Sequence, residues 1–585
     1  MTGPSRRSFV AALAGTGIGA AAVGAVVTDR VEAGRGDGSA ATTSVTVTLA
    51  GAAADGPVTG RLYVVLSRDD SSEPRDQAGD PLDGAPFWGV DVQGWEPGTS
   101  RTVPLGAGAD GHPFADAADL PAGAYSAQAF VNVYTRFTRS DGSVVDLHLP
   151  GGDGHDVFRS AGNLFGPVAR FTPGGGEALE LSVDTVVAPG DEVPEGGTAQ
   201  QGNPPDSEHV RHVKIRSEVL SGFWGQDVFI GADVLLPPGY DDPVNQAVRY
   251  PVEVHHGHFP TTAPRGFRED GEGDFSAYWL SGTAPRFLVV TFRHENPFYD
   301  DSYAVDSANI GPYGTALNTE LLPEIDRTFR TVGQRWGRVL SGGSTGGWEV
   351  VATQVTYPDL YRGAWAGYPD PLDFRALGLV DVYSDEDAYA TSTEYQRTPV
   401  PFTRESSGRT TQTVEQANSW ERALGSRGRS GLGQWDVWQA VFSPQGPDGY
   451  PAAVWDKASG RIDRAVAAQW AERWDLAAHV ERHWDELREK LDGQLTIYVG
   501  DADTYFLDVA VQLFKERVDA LEGSNVTYLF GRGQSHGWEP WTYREFYDML
   551  ADHVVAGAPA GEAEAARAWR AMAAPADGTG DAPRQ

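Results

Sequence analysis

The turn Ser341-Gly342-Gly343-Ser344-Thr345-Gly346-Gly347 restricts the possible folds more than any other stretch of this chain. A short apolar run, Arg338-Val339-Leu340, leads into it, and a helical pattern from about Gly346 to Tyr357 leaves it. A serine among small residues between a strand and a helix satisfies the G-x-S-x-G elbow, where the backbone is strained and closely packed. The helix beyond aims N–H groups and positive dipole at developing negative charge. Such a turn belongs at the edge of an open α/β sheet.

The sequence around it agrees. From residue 209 to 556, strand-like runs such as Val228 to Leu236, Phe287 to Thr291 and Gln494 to Val499 alternate with helical ones such as Leu507 to about Leu521. That alternation predicts an α/β fold with a mostly parallel sheet. A Trp-rich segment at about 369–491 interrupts it and reads as an inserted cap. Residues 40–187 show period-two runs (Ser44 to Leu49, Arg61 to Leu66, Ala124 to Tyr134) broken by Gly, Pro and Asp, which predicts an all-β sandwich. Residues 188–208 are Pro/Gly-rich and read as a linker, and 557–585 as a disordered tail.

Composition removes several functions. The net charge of −35 argues against a nucleic-acid or anionic-membrane partner, both of which need clustered positive charge. With no cysteine there is no thiol nucleophile, iron–sulfur cluster or thiolate zinc site. Ser5-Arg6-Arg7-Ser8-Phe9-Val10 resembles a twin-arginine export motif, and a weakly apolar stretch to Val27 follows. Residues 1–33 therefore read as a signal peptide cleaved after Ala33, giving a secreted or envelope-associated protein with no stable membrane insertion. An uncleaved N-terminal anchor is the alternative.

A nucleophilic serine needs a base, and the base an orienting acid. After Ser344, the sheet order calls for the acid first and the histidine last. The strand-like run 494–499 ends in Gly500-Asp501-Ala502-Asp503, and the next strand leads to His536 in a Gly-flanked loop. Asp503 is preferred as the acid, with Asp501 as a helix cap. Val254-His255-His256-Gly257-His258 follows an early strand, so the oxyanion donors are read as the N–H groups of His258 and Thr345. The three histidines alternate faces and lack the spacing of a zinc helix, and no metal or other cofactor is expected. Trp348 and Trp538 stand near these residues in sequence and are candidate substrate contacts.

In these stretches the chain resembles the Putative esterase family of α/β-hydrolases, which includes enterochelin esterases, feruloyl esterases and antigen 85 mycolyltransferases. The likeness lies in Val234 to Tyr240, Val254 to Gly257, Gly311 to Gly314, Thr319 to Pro323, Ser341 to Gly347, Gly500 to Asp503 and Ser535 to Trp538. It implies an α/β-hydrolase fold and a triad of Ser344, Asp503 and His536; the expected partner is a small-molecule or glycan-linked ester substrate. The wide Ser-to-Asp interval and the N-terminal sandwich depart from the family's pattern. An acyltransferase of the mycolyltransferase type would keep the same triad. A prolyl-oligopeptidase-like peptidase would bring a propeller, of which no repeat is seen. A non-catalytic cell-wall or glycan-binding protein on a hydrolase scaffold is the remaining rival.

Overall fold

The computed structural model describes residues 43–148, 157–173, 178–188, 202–257, 263–299 and 301–572. The expected signal segment, most of the linker and His258 lie outside the described residues.

The second part of the chain builds one eight-stranded sheet. Its strands are β1 (Val210–Ser217), β2 (Val228–Leu235), β3 (Val252–His256), β4 (Leu288–Arg293), β5 (Arg338–Gly343), β6 (Ala364–Gly367), β7 (Leu495–Gly500) and β8 (Thr527–Gly531). They lie in the order 1-2-4-3-5-6-7-8. β2 runs antiparallel to β1 and β4, and every later pairing is parallel. Central strands covered on both faces show little polar alternation, as in β4, where all six residues are buried. In register, His256 lies beside Gly342, Gly343 beside Gly367, Gly367 beside Tyr498 and Gly500 beside Gly531. The carboxyl ends of β3, β5, β6, β7 and β8 thus form one edge, where open α/β sheets hold their sites.

Helices flank the sheet: α1 (Thr345–Thr356) after β5, α4 (Leu507–Asp519) after β7, and α5 (Tyr543–Gly557) after β8. The cap lies between β6 and β7. It contains two short hairpins, α2 (Val414–Leu424), α3 (Gln434–Phe442) and three further helices between Arg464 and Leu491. α2 starts on a capping box: Thr413 Oγ1 accepts the Gln416 N–H at 3.2 Å, and Gln416 Oε1 accepts the Thr413 N–H at 2.9 Å.

The N-terminal region is strand-rich. A three-stranded sheet centred on Ser44–Leu49 and a seven-stranded sheet containing Val58–Ser67 and Tyr125–Val133 share one apolar core, with Val45, Val47 and Leu49 against Leu62, Val64, Ala129 and Val131. Val58–Ser67 is buried on its other face too. There Tyr63 and Val65 pack with Phe158 against Trp420, Ala423 and Leu424 of α2. Arg61 fixes this junction, donating to Asp91, Asp110 and the carbonyls of Arg422 and Ala423.

Two expected boundaries shift. Residues 563–570, read as tail, form α6 (Ala563–Arg570). Its Trp569 is buried on Phe287 and donates to the Arg286 carbonyl at 2.9 Å, so one aromatic anchor orders a stretch whose composition suggests fraying. The last linker residues also pack on the sheet, where Asn203 accepts from Arg293. Among the described residues no helix is long and apolar enough to cross a membrane.

Candidate active site

Ser344 sits between β5 and α1 with φ 59° and ψ −125°. A non-glycine residue rarely adopts this conformation, and holding it costs about 1–3 kcal/mol. The neighbouring glycines make it possible. A Cβ on Gly346 would run into the His256 carbonyl oxygen, and one on Gly347 would lie 2.5 Å from that of Gly367. The Ser344 N–H donates to the Gly367 carbonyl at 3.0 Å, continuing the ladder between β5 and β6 into the turn.

Asp503 follows β7 and is fully buried. Its Oδ2 lies 2.8 Å from His536 Nδ1. Oδ1 accepts the N–H groups of Tyr505 and Leu507 at 2.8 and 3.3 Å, which fix the carboxylate plane. Asp501 binds elsewhere. Its Oδ1 accepts the Gly533 N–H at 2.5 Å and ties the histidine loop to the end of β7. Arg404, from a cap hairpin, donates to the Asp503 carbonyl at 2.9 Å and to Asp508 at 2.8 Å. Burial raises the Asp508 carboxyl to about 6, with Arg404 opposing that shift.

The His536 ring is held between two tyrosines, Tyr368 at 4.7 Å and Tyr505 at 4.8 Å between centroids, both edge-to-face. Tyr368 also presses on the elbow, since a Cβ on Gly343 would meet its hydroxyl at 2.5 Å and its ring at 2.6 Å. One side chain thus touches both the turn that carries Ser344 and the His536 imidazole. Beside them opens a cavity of about 250 Å³ lined by His255, Arg265, Tyr368, Tyr498, Glu539 and Tyr543, with Gly342 and Gly343 on its wall. Arg265 there is paired with the buried Glu253, whose carboxylate also accepts from Ser341 at 2.5 Å and Tyr547 at 2.6 Å.

The sequence profile of the Putative esterase family matches residues 230–553, from within β2 to within α5. The chain belongs to that family. No curated protein matches it. Among solved structures it is similar to a ferulic acid esterase at 16% identity, covering 62% of this chain and 98% of that one with a TM-score of 0.34. An S-formylglutathione hydrolase from Agrobacterium tumefaciens is 13% identical over 60% of this chain and 97% of that one, TM-score 0.32. The fluorophosphonate-binding serine hydrolase F of Staphylococcus aureus is 11% identical over 59% and 98%, TM-score 0.30. Likenesses this remote say nothing of substrate.

In this esterase Thr345 is the first residue of α1, so its N–H has no carbonyl one turn back to bond. Trp348 corrects an expectation. It is fully buried against Tyr303 and Phe442, at 5.5 and 5.1 Å, and has no surface to offer a substrate. Trp538 is half-buried and packs on Gly531 at the end of β8. His255 and His256 go to opposite faces: His255 Nδ1 lies 2.9 Å from Ser341 Oγ and His256 Nδ1 lies 3.1 Å from Glu349 Oε2.

Sequence reasoning missed Tyr368, Tyr505 and Asp370. Two of the three had a signal, for Tyr368-Pro369-Asp370 follows β6 at the same strand edge that drew attention to Asp503. Among the described residues, His294, Asp301 and Glu349 bring ligand atoms within 4.8 Å of one another. The Ser302 N–H, however, donates to His294 Nδ1 at 3.1 Å, which leaves the proton of a neutral ring on Nε2, the nitrogen facing Glu349. That tautomer turns an N–H, not a lone pair, toward the carboxylate.

Proposed function

We propose that this chain is an exported serine esterase that works through an acyl-enzyme. The observation that carries the reading is the buried Asp503–His536 pair, joined through Tyr368 to the strained turn bearing Ser344. His536 takes the Ser344 Oγ proton as Oγ attacks the ester carbonyl carbon. Asp503 holds the Nδ1–H tautomer and stabilises the imidazolium. The N–H of Thr345, at the positive end of α1, receives the developing oxyanion together with a second donor from the loop after β3. The alkoxide leaves with the proton from His536, and water, deprotonated by the same base, releases the acid.

Four points support the assignment: membership of an esterase family, a serine in the conformation an elbow demands, a fixed acid–base pair, and a cavity beside the turn. The N-terminal region, read as a β-sandwich, serves here as a scaffold for the cap. Labelling with a fluorophosphonate followed by intact mass tests the reading. One adduct on wild type and none on Ser344→Ala is expected, with an activity loss of at least about 10³-fold on aryl esters. An unlabelled, correctly folded wild type, or an active Ser344→Ala, would sink it.

A further inference from the structure

Asp370 is almost wholly buried and lies three residues past β6. One of its oxygens, Oδ2, collects hydrogen bonds from several directions. Tyr303 donates to it at 2.6 Å, Thr345 Oγ1 at 2.9 Å and Trp438 Nε1 at 3.3 Å. Gln434 and Trp438, both on cap helix α3, also donate to the Tyr303 hydroxyl, at 2.6 and 2.7 Å. The backbone of Asp370 makes a separate contact, its N–H donating to the Ser344 carbonyl at 3.1 Å.

These contacts converge on a single peptide group. The carbonyl of Ser344 and the N–H of Thr345 belong to the same planar unit and point in opposite directions. Pinning the oxygen therefore sets where the N–H points. Asp370 holds that oxygen with its N–H and the Thr345 side chain with its carboxylate, gripping the plane from both sides of its C–N bond. A donor is useful to an oxyanion only when it is preset within about half an ångström.

We infer that Asp370 is a positioning residue for the oxyanion donor, and that through it the cap helix α3 sets the geometry of the nucleophile turn. This rests on reading the Thr345 N–H as an oxyanion donor. The arrangement makes the insertion part of the catalytic geometry as well as a wall over the site. With Gln434 and Trp438 in place, Tyr303 and Asp370 are locked. Without them, Tyr303 loses both donors from α3 and Asp370 loses the Trp438 bond, so the grip of Asp370 on the Ser344–Thr345 peptide is no longer anchored to the cap.

The test compares wild type with Asp370→Asn, Asp370→Ala and Tyr303→Phe, the last leaving the Asp370–Thr345 bond in place. Four quantities are measured: kcat and KM on an aryl acetate, the affinity of a trifluoromethyl ketone that forms a tetrahedral adduct, and the thermal midpoint. Asp370→Ala is expected to lower kcat by about 10–100-fold with KM within about twofold, and to weaken the ketone by the same factor. Asp370→Asn, which keeps one acceptor oxygen, should fall between. Tyr303→Phe, which cuts the relay from Gln434 but spares the Asp370–Thr345 bond, should lower kcat and ketone affinity together, by a smaller factor than Asp370→Ala. Variants that lose only stability, or that raise KM with ketone affinity unchanged, would overturn the inference. Should Asp370→Ala not fold, Asp370→Asn and the Gln434→Ala variant carry the same comparison. If wild type itself fails to react with a fluorophosphonate, the serine reading falls and this inference with it. If wild type and Asp370→Asn react equally fast, only the positioning role falls.

Discussion

At the scale of single residues, the elbow is a place where side-chain volume is forbidden. Gly346 faces a backbone carbonyl, that of His256, and a backbone atom in a central strand cannot swing aside as a side-chain tip would. Gly346→Ala should therefore cost about 1–3 kcal/mol by overpacking and push Ser344 out of line with His536. A lowered urea midpoint together with a fluorophosphonate reaction slowed at least tenfold would report both effects. Residue identities here were legible in unequal degree. Ser344, Asp503 and His536 announce themselves because chemistry limits the residue types and the sheet fixes their order. Trp348 misled, since proximity in sequence to a nucleophile places a helical side chain on whichever face its 3.6-residue period dictates, and this one faces the core. Tyr505 was invisible because an aromatic ring against an imidazole leaves no spacing pattern to read, and Tyr368, though it stands at the strand edge, gives no sign in sequence of the ring it meets.

At the scale of elements, the acid depends on two segments that meet only in the fold. Asp503 is held by the first turn of α4 and by Arg404 from the cap, while its other oxygen faces His536. Asp503→Asn leaves the volume unchanged but offers the histidine an amide. A fall in kcat of about 10³–10⁴-fold is expected, with the thermal midpoint moving by only a few degrees. Steady-state kinetics on an aryl ester beside a melt would check it, and wild-type kcat in the variant would exclude Asp503 as the acid. Most central strands of the sheet could be read in the sequence, because apolar runs bounded by Gly and Pro have one outcome between packed layers, whereas the half-buried edge strand β1 could not. The cap could be located as an interruption only. Its short hairpins and broken helices are set by contacts with other parts of the chain, such as α2 against the N-terminal strands, and no local period encodes such a partner.

At the scale of the whole molecule, buried imidazoles link stability to pH. Burial, aided by Arg265, holds His255 at about 3, and burial, aided by Arg429, does the same for His148. Both lie below the ordinary value near 6.5, so as pH falls the unfolded chain takes up these protons first. Stability is therefore full above about pH 6.5 and declines toward pH 3. Between pH 7.5 and 5.0 each site removes about 2 kcal/mol. His148→Asn, which keeps a polar partner for Asn132 across 2.9 Å, should flatten that decline by a similar amount in urea titrations at the two pH values. An unchanged slope would show that His148 is not held neutral.

The doubly buried strand Val58–Ser67 has one more consequence, which concerns where this enzyme can be cut. Its outer face covers Trp420, Ala423 and Leu424, and its Arg61 and Tyr63 satisfy the carbonyls at 422, 423 and 424. A fragment trimmed to the esterase-matching segment would bare an apolar patch around Trp420 and three orphaned acceptors at the end of α2. That helix shares the insertion with α3, whose Gln434 and Trp438 reach the elbow. The hydrolase half is thus expected to lean on the N-terminal strands, and a fragment without them to melt earlier and react more slowly with a fluorophosphonate than the whole chain.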